Sequence, residues 1–247
     1  MTRFIAIASA KGGVGKTSTA LNLGTAMTNF GKDVVVLDAN LSTPRLGLHL
    51  GAPRLPATLN DALEGTTHIT NTAYVHPSGL KIIPASISLD RIKNVRLKSL
   101  QNVLLDLAGA TEIVLVDVAA GLGAESIAAL KGCDQMIIVT APDLPAITDA
   151  IKAVQMGEEL GCETIGVIIN RSRGEEFEIE AKNIGALIDR PIIGIVPEDS
   201  TVRKSLALKH PVVYTHPDSP AAVAFKKIAA QLLGQTYIHS ITKELKK

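Results

Sequence analysis

The sequence predicts an α/β fold: a single-domain, doubly wound and mostly parallel β-sheet flanked by helices. Short aliphatic runs alternate with longer segments of helical periodicity along the chain. Hydrophobic residues make up 46% of the 247 residues, whereas aromatic residues make up only 3% and tryptophan is absent. A core of Val, Ile, Leu and Ala is therefore expected, and such aliphatic strands are typical of parallel sheets that are buried on both faces.

Seven strands are predicted from aliphatic runs that end in polar or turn residues: 4–8, 33–38, 80–84, 111–117, 135–140, 163–170 and 191–197. Helical spacing of apolar residues predicts the helices 20–27, 58–64, 95–107, 121–131, 146–160, 175–188, 200–208 and 221–233. Prolines make the interval 39–79 irregular, and Thr58 is expected to cap its short helix. No linker or repeat divides the chain, so one domain over residues 1–234 is expected, followed by a tail over 235–247.

A glycine-rich loop with the sequence Lys-Gly-Gly-Val-Gly-Lys-Thr joins the first strand to the first helix. A strand, a glycine loop that ends in Lys-Thr, and a helix form the pattern of a phosphate-binding P-loop. Lys16 is expected to reach the β- and γ-phosphates, and the Thr17 hydroxyl is expected to ligate Mg²⁺. The predicted nucleotide-binding residues of this segment are Lys11, Gly12, Gly13, Val14, Gly15, Lys16, Thr17 and Ser18.

Polar side chains also end other predicted strands, at Asp38, Asp117 and Asn170. Ligands of open α/β sheets bind beyond the carboxyl ends of the strands. An aliphatic strand that ends in Asp is the Walker-B arrangement, so Thr17, Asp38 and Asp117 are the predicted Mg²⁺ ligands. A turn or a helix cap is the alternative explanation for an Asp that follows a strand.

The overall composition limits the function classes. With 25 basic and 24 acidic residues the formal charge is +1, which gives no general case for nucleic-acid binding. Cys133 and Cys162 belong to no Cys-x-x-Cys motif and are expected to be reduced, packed thiols. No signal segment and no apolar run of about 20 residues is recognised, so a soluble, cytoplasmic protein is expected.

The P-loop segment resembles the deviant Walker A motif of the MinD/ParA family of ATPases, because Ala10 replaces the usual first glycine and Lys11 adds a second lysine. Residues 36–38 (Val-Leu-Asp), 117–121 (Asp-Val-Ala-Ala-Gly), 170–171 (Asn-Arg) and 195–199 (Ile-Val-Pro-Glu-Asp) are similar to MinD in particular, including archaeal MinD homologues. The similarity extends over residues 2–233. It implies a P-loop NTPase that uses ATP/ADP and Mg²⁺, forms an ATP-dependent homodimer, and positions cellular machinery through an unidentified regulatory or cargo protein.

The resemblance also implies roles for individual residues. Lys11 is expected to cross the dimer interface to the partner's nucleotide, and Lys16 and Asn40 complete the predicted catalytic set. Asn170 is expected to bind the adenine edge, with Arg171 and Pro197 beside the base. The alternatives are that Lys11 caps only its own loop and that Asn170 is a turn residue.

Two positions depart from the family pattern. Asn40 stands where the family has the aspartate that positions the attacking water, and an amide cannot accept a proton. Nucleotide binding with slow or partner-dependent hydrolysis is therefore expected. Ala119 replaces the usual proline, which is expected to loosen the segment after Asp117 slightly.

The tail over residues 235–247 places Ile238, Ile241 and Leu245 on one helical face, with Lys243, Lys246 and Lys247 nearby. MinD proteins end in an amphipathic membrane-targeting helix, so peripheral binding to an anionic membrane is one expectation. A frayed terminus is the alternative. Two further readings of the whole chain stay open: a ParA-like DNA-partition ATPase with a local basic patch, and a non-hydrolysing ATP-dependent scaffold.

Overall fold

The computed structural model of the protein describes residues 1–52, 54–93 and 96–239. Within these residues one sheet of eight strands is flanked by helices, and the α/β fold class is confirmed. The strands are β1 (Arg3–Ala8), β2 (Val34–Asp38), β3 (Tyr74–Val75), β4 (Lys81–Ile83), β5 (Ile113–Asp117), β6 (Gln135–Thr140), β7 (Glu163–Ser172) and β8 (Ile192–Pro197). All seven predicted strands are present, and β3 is an eighth that the sequence did not predict.

The strands lie in the order β3-β4-β2-β5-β1-β6-β7-β8, and every neighbouring pair is parallel except β3 with β4. The first strand is therefore central, with β5 on one side and β6 on the other. In the register of β2 against β5, Asp38 lies opposite Asp117. The two carboxylates therefore meet at the carboxyl edge of the sheet, beside the loop that follows β1.

Alternate residues of the strands face two separate cores. Along β1, Phe4, Ala6 and Ala8 belong to the core on one face, and Ile5 and Ile7 belong to the core on the other. Both faces are covered by helices, which is the burial expected for a doubly wound parallel sheet.

Among the described residues, the predicted helices alternate with the strands, and three short helices, at Leu46–His49, Leu89–Lys93 and Val212–Thr215, were not predicted. The helices are α1 (Lys16–Asn29), α2 (Leu46–His49), α3 (Leu59–Glu64), α4 (Leu89–Lys93), α5 (Leu100–Leu105), α6 (Ala124–Lys131), α7 (Leu144–Glu159), α8 (Ala181–Ile188), α9 (Ser200–Ala207), α10 (Val212–Thr215) and α11 (Pro220–Leu232). Thr58 is the N-cap of α3, as predicted, and forms a capping box with Asp61, whose carboxylate accepts hydrogen bonds from the backbone N–H and the hydroxyl of Thr58. None of these helices has the length and apolar character needed to cross a bilayer.

Three predicted helices begin later in the chain than the sequence predicts. The helix predicted from residue 175 begins at Ala181, because Glu178 accepts hydrogen bonds from the backbone N–H groups of Arg173 and Gly174 and closes a loop there. The helix predicted from residue 121 begins at Ala124, since Gly121 has a left-handed backbone conformation with φ +92°. The helix predicted over 95–107 is reduced to a 3₁₀ turn over 97–99 followed by α5, and residue 95 lies outside the described residues.

Candidate functional site

The glycine loop ends β1 and passes directly into α1. Gly13 and Gly15 have φ values of +81° and +99°, a region that glycine enters without steric cost. Gly15 is also the N-cap of α1, and a Cβ atom at this position would collide with the side chain of Asn170. The loop therefore requires glycine both for its backbone conformation and for the close approach of β7.

Lys16 and Thr17 form the first turn of α1 and are both buried. The Thr17 hydroxyl donates a hydrogen bond of 2.5 Å to Oδ2 of Asp117, which joins the P-loop to the end of β5. Among the described residues, Oδ1 of Asp117 has no hydrogen-bond partner although it is buried. A buried carboxylate oxygen without a partner is costly, so this position is suited to a cation or a bound water.

Asp38 is fully buried beside Asp117, and its two oxygens accept hydrogen bonds from the backbone N–H groups of Asn40, Arg45 and Leu46. Burial raises the pKa of Asp38 to about 6. Burial, and then the charge of Asp38, raise the pKa of Asp117 to about 7. Burial also lowers the pKa of Lys16, an effect that the charge of Asp117 opposes.

A magnesium ion fits this arrangement. The donors are oxygen atoms only, which is the preference of a hard divalent cation. Two carboxylates with raised pKa values lie side by side, and one of them has a free oxygen aimed at no protein group of the described chain. The structure thus brings together Thr17, Asp38 and Asp117, the three residues that the sequence predicts as metal ligands.

A cleft of about 200 Å³ opens above the loop, and Asn40 lies on its wall. The amide of Asn40 is used within its own loop: Nδ2 donates to the carbonyl oxygen of Thr43 at 2.8 Å, and Oδ1 accepts from the Thr43 hydroxyl at 3.0 Å. Glu125, in the first turn of α6, accepts hydrogen bonds from the backbone N–H groups of Leu41 and Ser42. The connection after β2 is therefore held from two sides, by Asp38 and by Glu125.

Lys11, the first lysine of the glycine loop, is partly exposed. Its Nζ atom donates to both carboxylate oxygens of Asp143, at 2.9 and 3.2 Å. Asp143 also caps α7 by accepting a hydrogen bond from the N–H group of Ala146. In the structure Lys11 is paired with a helix cap of its own chain, a contact that the sequence did not suggest.

The three predicted base-contacting residues lie together in a second cleft of about 270 Å³, which Gly15 and Ser18 also line. Asn170, at the end of β7, donates a hydrogen bond of 2.7 Å from Nδ2 to the carbonyl oxygen of Val14. Arg171 has a left-handed backbone conformation with φ +60°, and Pro197 ends β8. These residues stand next to the P-loop because β7 and β8 end at the same edge of the sheet as β1.

Three residues near the site were missed by sequence reasoning: Arg45, Glu125 and Asp143. Arg45 lies on the wall of the first cleft, Glu125 holds the loop over residues 41–42, and Asp143 binds Lys11. The position of Asp143 before Pro145 is a helix N-cap signal that the sequence does carry. The other two have no local signal, because their contacts join segments that are distant in sequence or irregular.

Comparisons with known proteins agree with this geometry. Residues 1–233 match the ParA family model, described as NUBPL iron-transfer P-loop NTPase. The chain is 41% identical over 240 residues to an uncharacterized ATP-binding protein of Methanocaldococcus jannaschii, covering 97% of this chain and 91% of that protein.

Solved structures of MinD proteins are similar throughout their length. The septum site-determining protein MinD of Pyrococcus horikoshii, complexed with Mg-ADP, is 30% identical with a TM-score of 0.90 and covers 94% of this chain and 96% of its own. A chain of the MinC:MinD cell division protein complex of Aquifex aeolicus is 26% identical with a TM-score of 0.85. The match covers 97% of this chain and 98% of that chain. On the family match, the relatives and the P-loop geometry together, this chain belongs to the ParA/MinD family of P-loop NTPases.

Proposed function

We propose that this protein is a MinD-like nucleotide switch that binds Mg²⁺-ATP, forms a homodimer in the ATP state, and positions cellular machinery such as the division apparatus. The observation that carries the proposal is the pairing of Thr17 with Asp117 at the base of the glycine loop, with Oδ1 of Asp117 left without a partner among the described residues. A loop shaped only as a turn between strand and helix has no need of a buried, incompletely bonded carboxylate at that point.

The residues of the cleft have distinct tasks in this proposal. The loop amides and Lys16 bind the phosphates, and the N-terminus of α1 adds partial positive charge at the same place. Thr17, Asp38 and Asp117 hold the metal directly or through water, and bound Mg²⁺ supplies charge that offsets the negative charge of the polyphosphate. The low pKa of Lys16 relative to an exposed lysine does not remove its charge in the complex, because a bound phosphate favours the ammonium form.

The position of Asn170 supports a role in binding the base. Nδ2 donates one of its two N–H groups to the Val14 carbonyl, so the amide oxygen and the second N–H remain for a base. An oxygen acceptor and an N–H donor together can pair with the 6-amino group and a ring nitrogen of adenine. Asn170 is therefore compatible with ATP as the proposed nucleotide.

The face around Lys11 supports the dimer. Leu144 and Phe177 are 61% and 82% exposed, and both line the same opening as Lys11. Exposed apolar side chains beside a lysine that is held only by a partly exposed ion pair are suited to contact with a second copy. In the proposed dimer, Lys11 leaves Asp143 and contacts the nucleotide that is bound to the partner.

A non-hydrolysing, ATP-dependent scaffold is the second candidate. It is favoured by the use of the Asn40 amide within its own loop, where Thr43 satisfies both its donor and its acceptor. Iron transfer, which is named in the description of the matched family model, is not part of the proposed function, because the cysteines of this chain do not suit an exposed iron site. Both cysteines are buried, and burial raises the pKa of both thiols, to about 12 for Cys162.

Size-exclusion chromatography with light scattering tests the proposal on purified protein in the absence of nucleotide, with Mg²⁺-ADP and with Mg²⁺-ATP, while released phosphate is measured. We expect a monomer in the first two conditions and a dimer in the third. Lys16→Ala is expected to abolish nucleotide binding, whereas Lys11→Ala is expected to retain binding and lose the dimer.

Each outcome separates the candidates. A wild-type protein that binds neither nucleotide contradicts the whole proposal, and one that binds ATP but stays monomeric contradicts the switch. A dimer that forms with ATP and releases no phosphate over hours identifies the scaffold.

A further inference from the structure

Arg45 lies on the wall of the phosphate cleft without a role in the expected site. It follows β2 and immediately precedes α2, and it lines the cleft together with Lys16, Thr17 and Asn40. The prolines of the interval 39–79 predict only an irregular connection for this segment.

The backbone at Arg45 is fixed to the metal site. Its N–H group donates a hydrogen bond of 2.9 Å to Oδ2 of Asp38, and the N–H group of Leu46 donates to the same oxygen at 2.9 Å. Leu46 is fully buried in the core, and Glu125 holds the other end of the connection through Leu41 and Ser42. The guanidinium is therefore attached to a part of the connection that cannot move far from Asp38.

The charge of Arg45 acts on the groups at the base of the cleft. It lowers the pKa of Lys16, after the larger effects of burial and Asp117, and it stabilises the carboxylate form of Asp117. It also lowers the pKa of the half-buried His49, after burial, on the same wall. These effects agree with the geometry, in which Arg45 lines the same cleft as Lys16 and Thr17.

Arg45 is exposed, and in the part of the chain that the structure describes its guanidinium forms neither a hydrogen bond nor an ion pair with another protein group. Asn40 on the same wall is neutral, and its amide is already bonded to Thr43. A carboxylate at position 40 would have offered Arg45 a neighbour of opposite charge, and the asparagine removes it. The cleft therefore presents an unpaired, planar cation with the geometry that suits phosphate oxygens.

We propose that Arg45 is a second cation for the terminal phosphate of the bound nucleotide, supplied by the same chain as the P-loop. This inference rests on the proposed function, because it assumes that the nucleotide occupies this cleft. The terminal phosphate is the one assigned because Asp38 and Asp117 would hold Mg²⁺ beside the terminal phosphates, and the backbone N–H of Arg45 is bonded to Asp38. Arginine also stabilises the charge that develops on the transferred phosphoryl group.

Isothermal titration calorimetry of the full chain with Mg²⁺-ATPγS and Mg²⁺-ADP tests the assignment. Arg45→Gln is expected to weaken ATPγS binding about ten-fold, as for the loss of one charged hydrogen bond, and to change ADP binding less than two-fold. Arg45→Lys is expected to recover part of the loss, because a point charge replaces the planar fork. Arg54→Gln, which changes an exposed arginine that lines neither the phosphate cleft nor the base cleft, is the matched control.

The outcomes distinguish this inference from the function on which it depends. If wild-type protein binds neither ligand, the proposed function fails first. If wild-type protein binds both ligands and Arg45→Gln binds them equally well, or loses affinity for both to the same extent, the assignment to the terminal phosphate is overturned while the function stands. Thermal unfolding of each variant without nucleotide verifies that the fold is retained.

Discussion

At the scale of single residues, Asn40 has an amide NH2 group where an aspartate has a second carboxylate oxygen. This difference sets the expected rate of ATP hydrolysis. The amide is held by Thr43 and cannot accept a proton from water. The residues proposed to bind the nucleotide are other residues of the cleft, so we expect a change at Asn40 to alter hydrolysis more than affinity.

Asn40→Asp is expected to raise phosphate release about ten-fold, because a carboxylate both orients the attacking water and accepts its proton. Single-turnover phosphate release under saturating Mg²⁺-ATP measures the effect. Asn102→Asp, at an exposed position of α5, is the control for the added charge. A rate that Asn40→Asp does not increase would show that the amide is not what limits hydrolysis.

Asp117 illustrates a conflict between stability and function. Its carboxylate is buried beside Asp38, and burial raises its pKa to about 7. Asp117→Asn keeps an acceptor for the Thr17 hydroxyl and removes the charge, so the nucleotide-free protein is expected to gain about 1–2 kcal/mol of unfolding free energy.

Chemical denaturation without Mg²⁺-ATP measures the stability of the nucleotide-free protein, and the same measurement with Mg²⁺-ATP shows how much the ligand stabilises it. The wild-type protein is expected to be stabilised by the ligand according to its concentration and affinity, and the Asp117→Asn variant much less. A variant that is less stable than wild type without ligand would contradict the view that this carboxylate is kept for binding rather than for folding.

At the scale of the elements, a pair of histidines joins the hairpin of β3 and β4 to the segment between α9 and α10. The buried His76 accepts a hydrogen bond at Nδ1 from the N–H group of Ser78, so its proton is on Nε2 and points at Nδ1 of His210, 2.8 Å away. The Tyr214 ring packs against both imidazoles. Burial, and then the nearby His210, lower the pKa of His76 to about 4.

This pair predicts a loss of stability in acid. An unfolded histidine takes up a proton below about pH 6.5, whereas His76 in the folded protein does so only near pH 4, so the unfolded chain binds more protons in between. The free energy of unfolding is therefore expected to fall by about 1–2 kcal/mol through this group as pH decreases from 7 to 4.5.

Since the buried Asp38 and Asp117 act in the opposite direction, the prediction concerns the difference between wild type and His76→Gln. Denaturation at pH 7.5 and pH 4.5 is expected to show that wild type loses more stability than the variant. His68→Gln, at an exposed histidine, is the control. Equal losses in the wild type and the His76→Gln variant would contradict the assignment of a neutral, buried imidazole.

At the scale of the whole molecule, the open question is what the nucleotide state controls. Residues 240–247 of the tail lie outside the described residues, and Ile238, in the described part of the tail, is 81% exposed. A single short amphipathic segment binds lipid weakly, whereas two segments in a dimer bind with much greater avidity.

Removal of residues 235–247 is expected to abolish ATP-dependent sedimentation with anionic vesicles, and to leave ATP binding intact. Wild-type protein is expected to pellet more with Mg²⁺-ATP than with Mg²⁺-ADP, and not with neutral vesicles. Equal pelleting of the truncated and full-length proteins would exclude a membrane role for this tail.

The sequence by itself predicted seven of the eight described strands and the glycine loop, together with the residues proposed to bind phosphate and metal. These features depend on local rules: aliphatic runs form buried strands, and Gly13 and Gly15 adopt a backbone conformation that other residues avoid. The carboxylates at the strand ends were also predictable, because parallel strands place their carboxyl ends at one edge.

Only the tertiary structure decided which of these groups meet and what they contact. The strand order places Asp38 opposite Asp117, a cap of α7 binds Lys11, the Val14 carbonyl fixes the Asn170 amide, and the irregular connection after β2 brings Arg45 to the cleft. Each of these contacts joins segments that are far apart in the chain or lack periodicity. They depend on how the two cores pack around the sheet, and no local pattern of residues encodes that packing.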